Sequence, residues 1–249
     1  FWASVDGTYQ QVQVQDIFGK SVKVPSVASR YSQPEATDFH LPFVDGCRAE
    51  IPDTYNAADW AEFLGWYLSE GCAEYNEATA KYCVTITQFD NINPAKVQLI
   101  GQMLDRLGLP WKYSSTGKRF RIYNKRLAAY LHQFGLAHQK YIPDWLFSQP
   151  DYVIDRFLDG FIMGDGYVGP GYEHIDGTML YRCTVKITSE KLIDQLQMLC
   201  CMVGLPSMKT YVGPDERYPN SKPQWSLGIS FADGERALLS GWEKREYED

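Results

Sequence analysis

Two stretches of this chain are apolar nearly all round, and each ends in an acidic residue followed by glycine. Residues 58–70 carry Trp60, Phe63, Leu64, Trp66, Tyr67 and Leu68 and close on Glu70-Gly71. Residues 151–165 carry Phe157, Leu158, Phe161, Ile162 and Met163 and close on Asp165-Gly166. Apolar side chains on every face predict helices that belong in a core or an interface. After each helix come two strands, ending over 81–87 and 181–188, where polar and apolar residues alternate as in a half-buried sheet. Second helices are predicted over 95–107 and 189–203, each stopped by Gly-Leu-Pro. Strands over 111–115 and 119–123, then 207–212 and 225–231, lead to last helices over 125–134 and 233–241. The order is helix, strand pair, helix, strand pair, helix, twice: an α+β fold of two αββαββα repeats with antiparallel hairpins.

The two halves share more than this grammar. Gly65 and Gly160 lie 95 residues apart, each followed by four residues, an acid and a glycine. Ile51-Pro52-Asp53 upstream is matched by Ile142-Pro143-Asp144, and Leu107-Gly108-Leu109-Pro110 downstream by Val203-Gly204-Leu205-Pro206. Features in one order at a near-constant offset mark a duplicated unit. The chain divides into an N-terminal segment 1–50, a first repeat 51–141 and a second repeat 142–249. The segment 1–50 precedes both repeats.

Within the apolar helices, Gly65 and Ser69 are four residues apart, as are Gly160 and Gly164. Small residues at that spacing share one face and let two backbones approach. Glycine inside a helix costs on the order of 1 kcal/mol relative to alanine, so the pattern needs a packing reason. Pairing of the two helices through Gly65/Ser69 and Gly160/Gly164 supplies it. Glu70 and Asp165 then converge at one end of the interface, where the helix dipoles are already negative. A divalent cation, Mg²⁺ or Mn²⁺, makes such a carboxylate pair favourable, with oxygen ligands and phosphate completing its shell.

Strand alternation assigns faces. Arg119 and Arg121 share one side of their strand, opposite Phe120 and Ile122; Arg182, Thr184 and Lys186 form the polar side of theirs. In the first repeat Lys81, Thr85 and Thr87 take that part. Each sheet is expected to keep a hydrophobic side for its helices and a polar, partly cationic side for a partner.

Charge changes this picture in one respect. The chain of 249 residues has a net charge of −7, which opposes nucleic-acid binding if spread evenly. It is not spread evenly: residues 112–126 hold six basic residues and no acid, whereas 215–249 hold eight acids and five bases. The six cysteines form no Cys-x-x-Cys pair and read as reduced thiols, and the four histidines are scattered. No apolar run is long enough for a membrane span and no leader opens the chain, so a cytoplasmic protein is expected. Residue 1 is Phe, which points to a processed or trimmed chain.

The paired motifs resemble those of the LAGLIDADG, or dodecapeptide, homing endonucleases over roughly residues 51–241. That resemblance implies two motif helices packed at the centre of a pseudo-twofold monomer, with the sheets forming a saddle over double-stranded DNA. It implies metal binding by Glu70 and Asp165 with Gly71 and Gly166 beside them, and packing by Gly65 and Gly160. A strand lysine that organises water and phosphate in the family is matched by Lys186. The matching place in the first repeat is Thr85, a departure for which Lys81 is the substitute. DNA contacts are implied for Lys112, Arg119, Arg121, Tyr123, Arg182, Lys186 and Lys209, with the hairpin loops around 116–118 and 215–222 reaching flanking DNA. Lys140-Tyr141-Ile142-Pro143 and the stretch 14–25 resemble segments of intein-borne endonucleases, although the chain has neither a starting Cys or Ser nor a closing His-Asn. The resemblance thus implies the endonuclease region of an intein, fused to its splicing halves, or a free-standing relative, with the segment 1–50 a splicing-domain remnant or an added DNA-contacting arm.

The expected activity is metal-assisted hydrolysis of a phosphodiester in each strand of a long duplex site. Two rivals remain. One is a cleavage-deficient relative that binds nucleic acid, such as an RNA maturase or a DNA-binding regulator; the other is a purely structural insert.

Overall fold

The computed structural model describes residues 2–5, 8–20, 22–25, 27–28, 32–47, 51–214 and 221–232. The chain opens with a hairpin of β1 (Trp2–Val5) and β2 (Thr8–Gln11), a short helix α1 (Val14–Ile17), and a pair of two-residue strands, β3 (Phe39–His40) and β4 (Thr54–Tyr55). The first half follows: α2 (Ala57–Glu70), β5 (Gly71–Asn76), β6 (Lys81–Thr87), α3 (Pro94–Arg106), β7 (Trp111–Ser114), β8 (Arg119–Ile122) and α4 (Lys125–His132). A one-turn helix α5 (Asp144–Phe147) leads to the second half: α6 (Asp151–Asp165), β9 (Gly166–Val168), β10 (Tyr172–Glu173), β11 (Met179–Ile187), α7 (Glu190–Met202), β12 (Ser207–Gly213) and β13 (Gln224–Ala232). The last helix expected over 233–241 and the loop residues 215–220 lie outside the described residues.

Both halves use one sheet plan. The first is ordered β5-β6-β8-β7 and the second β10-β11-β13-β12, every pair antiparallel. The fold is α+β, with antiparallel sheets covered on one side by helices. One difference is that the strand after α6 is broken in two, β9 and β10 both pairing with β11. Gly169-Pro170-Gly171 interrupts it, because proline has no N–H for the ladder and glycine packs no side chain.

Local chemistry sets the helix limits. Asn56 caps α2, its side chain accepting from the N–H groups of Ala58 and Asp59; Asn124 and Ser189 do the same for α4 and α7. The stops after α3 and α7 are alike. Gly108 and Gly204 adopt left-handed φ of 62° and 78°, and the next residues return their N–H to the helix, Leu109 to Leu104 O and Leu205 to Cys200 O. Those leucines are buried, so each cap also pins the next strand to the core.

The core is continuous between the halves and is centred on α2 and α6, whose large side chains Trp60, Phe63, Trp66, Tyr67, Phe157 and Phe161 are fully buried. Residues 33–47 join it from the N-terminal side. Phe39 stacks on Trp60 at 4.3 Å, Asp38 accepts from Ala57 N, and Gln33 exchanges hydrogen bonds with Asp151 at the start of α6. Part of the segment 1–50 therefore ties together the N-terminal ends of both long helices. Nearby, Glu62 of α2 is ion-paired with Arg106 of α3 and Arg156 of α6.

Candidate functional site

The crossing of α2 and α6 has almost no space in it. A Cβ added at Gly65 would strike the carbonyl oxygen of Phe157 and lie 2.7 Å from Phe161 N. One at Gly160 would strike Glu62 O, and one at Gly164 would lie 2.6 Å from Ser69 Cβ and 3.2 Å from Glu70 Cγ. Backbone therefore rests on backbone at Gly65 and Gly160. Ser69 fits beside Gly164 by turning its hydroxyl inward to donate to Gly65 O and Trp66 O. Each helix gives way to a strand at Gly71 or Gly166, where a Cβ would strike Tyr67 O or lie 2.5 Å from Ile162 O. The glycines let each strand start directly beside its helix.

Glu70 and Asp165 end these helices on the same side of the molecule, close enough for the charge of Asp165 to act on Glu70. Burial first, and then the charge of Asp165, raise the Glu70 carboxyl to about 7. Asp165 is raised as well, first by the atoms crowding its carboxyl. Its residue surface is nevertheless open to solvent, which tempers that rise. The pair thus prefers to keep a proton unless positive charge is supplied.

Two lysines supply some. Lys140 is 5% exposed and donates from Nζ to the carbonyls of Tyr67 (3.0 Å), Leu68 (2.9 Å) and Gly71 (2.9 Å), closing the C-terminal end of α2. Burial lowers its ammonium to about 8, while the charges of Asp165, Cys72 and Glu70 oppose that fall. Lys96, in the first turn of α3, is the other cation whose charge lowers both acids. Sequence reasoning passed over both as site residues. Lys140 was visible only as part of a motif, and nothing in the pattern brings it back to the end of α2.

The open faces of the two sheets carry the remaining chemistry. Cross-strand pairing lines up Cys72, Thr85, Arg121 and Lys112 on the first sheet, with Thr87 opposite Arg119. Tyr123, just beyond β8, is exposed on the side of Arg121. On the second sheet Arg182 pairs with Ser230, Thr184 with Gly228, and Lys186 with Ser226. Cys183, Val185 and Ile187 are buried on the opposite side. No acid pairs with Lys112, Arg119, Arg121, Arg182 or Lys186 among the described residues, whereas Lys118, Lys125 and Arg126 of the same basic run are held by Asp90, Glu77 and Asp53.

Three expectations are corrected. Lys209 does not stand on the open face: it pairs with Leu227, itself opposite Val185, and so points to the helix side. There its ammonium binds Glu190 (3.2 Å) and Asp194 (2.5 Å) of α7. Lys81 pairs with Asn76 at the hairpin end of β6, whereas Gly71 pairs with Ile86. That sets it five residues, roughly 17 Å of strand, from the end of α2, and its ammonium is bound to Glu74 at 2.8 Å. The first-repeat counterpart of Lys186 is Thr87, not Thr85. Gly166 pairs with Val185 and Gly71 with Ile86, so the next residues along, Lys186 and Thr87, correspond.

Among the described residues no group of three or more His, Cys, Asp or Glu is placed to hold a metal ion. Any metal at the helix ends would depend on the two carboxylates, backbone carbonyls and oxygens from outside the chain. Described histidines serve elsewhere: His40 is bonded to Thr54, and His174 faces Asp176. No described helix is long and apolar enough to cross a membrane.

No family model matches the chain. It is 26% identical over 216 residues to the ATP-dependent Clp protease proteolytic subunit of Chlamydomonas moewusii, a match covering 80% of this chain and 20% of that protein. It is 25% identical over 182 residues to a DNA polymerase of Thermococcus sp. (strain GE8), covering 70% of this chain and 10% of the polymerase. The chain thus spans a fifth or less of the length of these curated relatives. Among solved structures it is similar to the homing endonuclease I-DmoI in complex with DNA and Mn (TM-score 0.45, 15% identity, 70% of this chain and 89% of that one). It is also similar to the homing endonuclease I-WcaI bound to its DNA recognition sequence (TM-score 0.43, 14% identity, 70% and 76%).

Proposed function

We propose that this chain is a metal-dependent DNA endonuclease of the LAGLIDADG homing type, acting as a monomer that cuts both strands of a long duplex site. The observation that carries the reading is the placement of Glu70 and Asp165. They end two helices crossing backbone to backbone, and each opens directly into a sheet whose free face bears cations that no described acid pairs. In a chain of net charge −7, such cations are spared neutralisation where phosphates would lie. Lys112, Arg119 and Arg121 on one sheet, with Arg182 and Lys186 on the other, would hold the two flanks of a duplex. Tyr123 adds a hydroxyl at the edge of the first flank.

The donor set suits a hard cation. Two carboxylates raised by burial, Glu70 also by the charge of Asp165, leave a charge deficit that Mg²⁺ or Mn²⁺ would fill, held by Glu70 and Asp165 beside Gly71 and Gly166. Such an ion supplies an activated water and stabilises the leaving oxygen. The chain's own residues orient the carboxylates: Lys140 fixes the end of α2, and the glycine crossing fixes the spacing between the helices.

The curated relatives support an inserted unit. A protease subunit and DNA polymerases share no chemistry, yet each matches most of this chain over a small part of its own length. A stretch common to both is not what makes either a protease or a polymerase. One observation favours the rival, a nucleic-acid binder that does not cut: the first sheet has Thr87 where the second has Lys186. Selection of bound duplexes from a randomised library, followed by incubation with Mg²⁺ or with chelator, separates the two. The endonuclease reading expects double-strand cleavage with metal only; tight binding without any cut in Mg²⁺ or Mn²⁺ contradicts it.

A further inference from the structure

One row across the open face of the second sheet has a glycine in its middle. Tyr167 on β9 pairs with Thr184 on β11, Thr184 with Gly228 on β13, and Gly228 with Met208 on β12. Directly opposed residues share a face, and the face is the open one, because Cys183 and Val185 on either side of Thr184 are buried. Counted from the cap glycines, the matching row of the first sheet is Cys72, Thr85, Arg121 and Lys112. Gly228 thus stands where the first half has Arg121, and Met208 where it has Lys112. Glycine inside a strand weakens it and marks a place that something approaches closely.

At Gly228 the approach is made by Arg182. Its Nε and Cζ lie 2.5 and 2.8 Å from the place a Cβ would take, and its Nη2 also meets that place. The Nε–Nη2 edge of the guanidinium is therefore turned onto the glycine, and Gly228 is buried although its row faces outward. Arg182 pairs with Ser230, so its side chain reaches diagonally across to the neighbouring strand. The remaining donors, on Nη1 and the far side of Nη2, bind no described residue. Two parallel N–H groups of a guanidinium match the O6 and N7 acceptors of guanine in a major groove, and a side chain already seated gives up little freedom on binding. The surroundings favour a base edge over a phosphate. β11 and β13 are the inner strands of the sheet, and a two-stranded ribbon is what the major groove admits. The exposed Met208 and Tyr167 flank the seat with apolar bodies, which suit thymine methyls and not phosphate oxygens. The row of Lys186, by contrast, continues in Ser226 and Thr210, whose hydroxyls suit phosphate.

We propose that Gly228 determines sequence specificity through Arg182: by carrying no side chain, it seats the guanidinium to read one guanine of the half-site under the second sheet. This rests on the duplex-binding part of the reading above. The test is binding by the whole protein, in chelator so that nothing is cut, to the selected duplex and to its single-base variants at several salt concentrations. Among the guanines that the wild type requires, one and only one should lose its advantage in Arg182→Ala, an advantage of about 10- to 100-fold in affinity. Gly228→Ala should erase the preference at the same position with the arginine still present. The added methyl meets only the flexible end of Arg182, so the unfolding midpoint should stay close to that of the wild type. Neither variant should change the slope of log affinity against log salt, whereas loss of a phosphate contact lowers it by about 1 and weakens every sequence alike. If Gly228→Ala keeps the guanine preference, or Arg182→Ala weakens all sequences equally, the assignment is overturned while the duplex-binding reading stands. A wild-type protein that selects no duplex overturns both.

Discussion

The C-terminal ends of α2 and α6 differ more than their sequences suggest. At α2, Lys140 crosses over to satisfy three carbonyls and sets its charge beside both acids; among the described residues no lysine does the same for α6. Glu70 keeps less of its residue surface exposed than Asp165, although burial raises both carboxyls. The sheets differ in a complementary way. Among the described residues the first presents three cations without an acidic partner, from β7 and β8, and the second two from β11 with the exposed Met208 and Tyr167 around them. The two halves share a backbone plan and differ in the number and placement of their open-face cations.

The comparison breaks most severely at the helix crossing that both halves share. Gly65→Val would drive side-chain atoms into the Phe157 carbonyl and should destabilise the protein by roughly 3 kcal/mol or more, because neither backbone can move without the other. Gly164→Ala meets mainly the side chain of Ser69 and should cost less. Denaturant midpoints of the two variants check the order.

Next comes the acid pair. Glu70 is raised from 4.5 to about 7 in the fold, so the folded state holds its proton more tightly than the unfolded chain does. That contribution to stability is complete below about 4.5 and is lost as pH rises through about 7, a decline that solvent screening of the part-exposed carboxyl holds to about 1–2 kcal/mol for the metal-free protein. Asp165, also raised, adds to the decline. Glu70→Gln should flatten the profile, and excess Mg²⁺ should oppose the decline at the alkaline end. Urea unfolding from pH 4.5 to 8 in chelator tests this; a metal-free protein that gains stability across the window would show that burial of the pair has been misread.

The smallest effect distinguishes the cations of the open faces from those turned inward. Arg121→Ala should weaken duplex binding and lower the slope of log affinity against log salt by about 1. Lys209→Ala, which removes only exposed ion pairs to α7, should leave that slope unchanged. Titrations at several salt concentrations compare them.

Much of this architecture was legible in the chain. The apolar helices, their small-residue faces, the Gly-Leu-Pro stops and the alternating strands are local patterns, and they predicted elements to within a residue or two. Positions settled by distant parts of the chain were less legible. Aligning Ile86-Thr87 with Ile187-Thr188 put Thr85 against Lys186, but the cap glycines set the true register one residue further along. Lys209 was misassigned because it lies on an edge strand, where a long side chain can reach a helix from the apolar side. Lys140 lies 69 residues beyond Gly71, whose carbonyl it binds. The tie formed by residues 33–47 likewise depends on Phe39 finding Trp60 and Gln33 finding Asp151, pairings that no periodicity announces.

The most direct test remains cleavage of the selected duplex in Mg²⁺, repeated with Glu70→Gln and with Asp165→Asn. If the carboxylate pair is the metal centre, the wild-type protein cuts both strands, while each variant loses cleavage by orders of magnitude and still binds the duplex. Cleavage by both variants at the wild-type rate would contradict the assignment of Glu70 and Asp165.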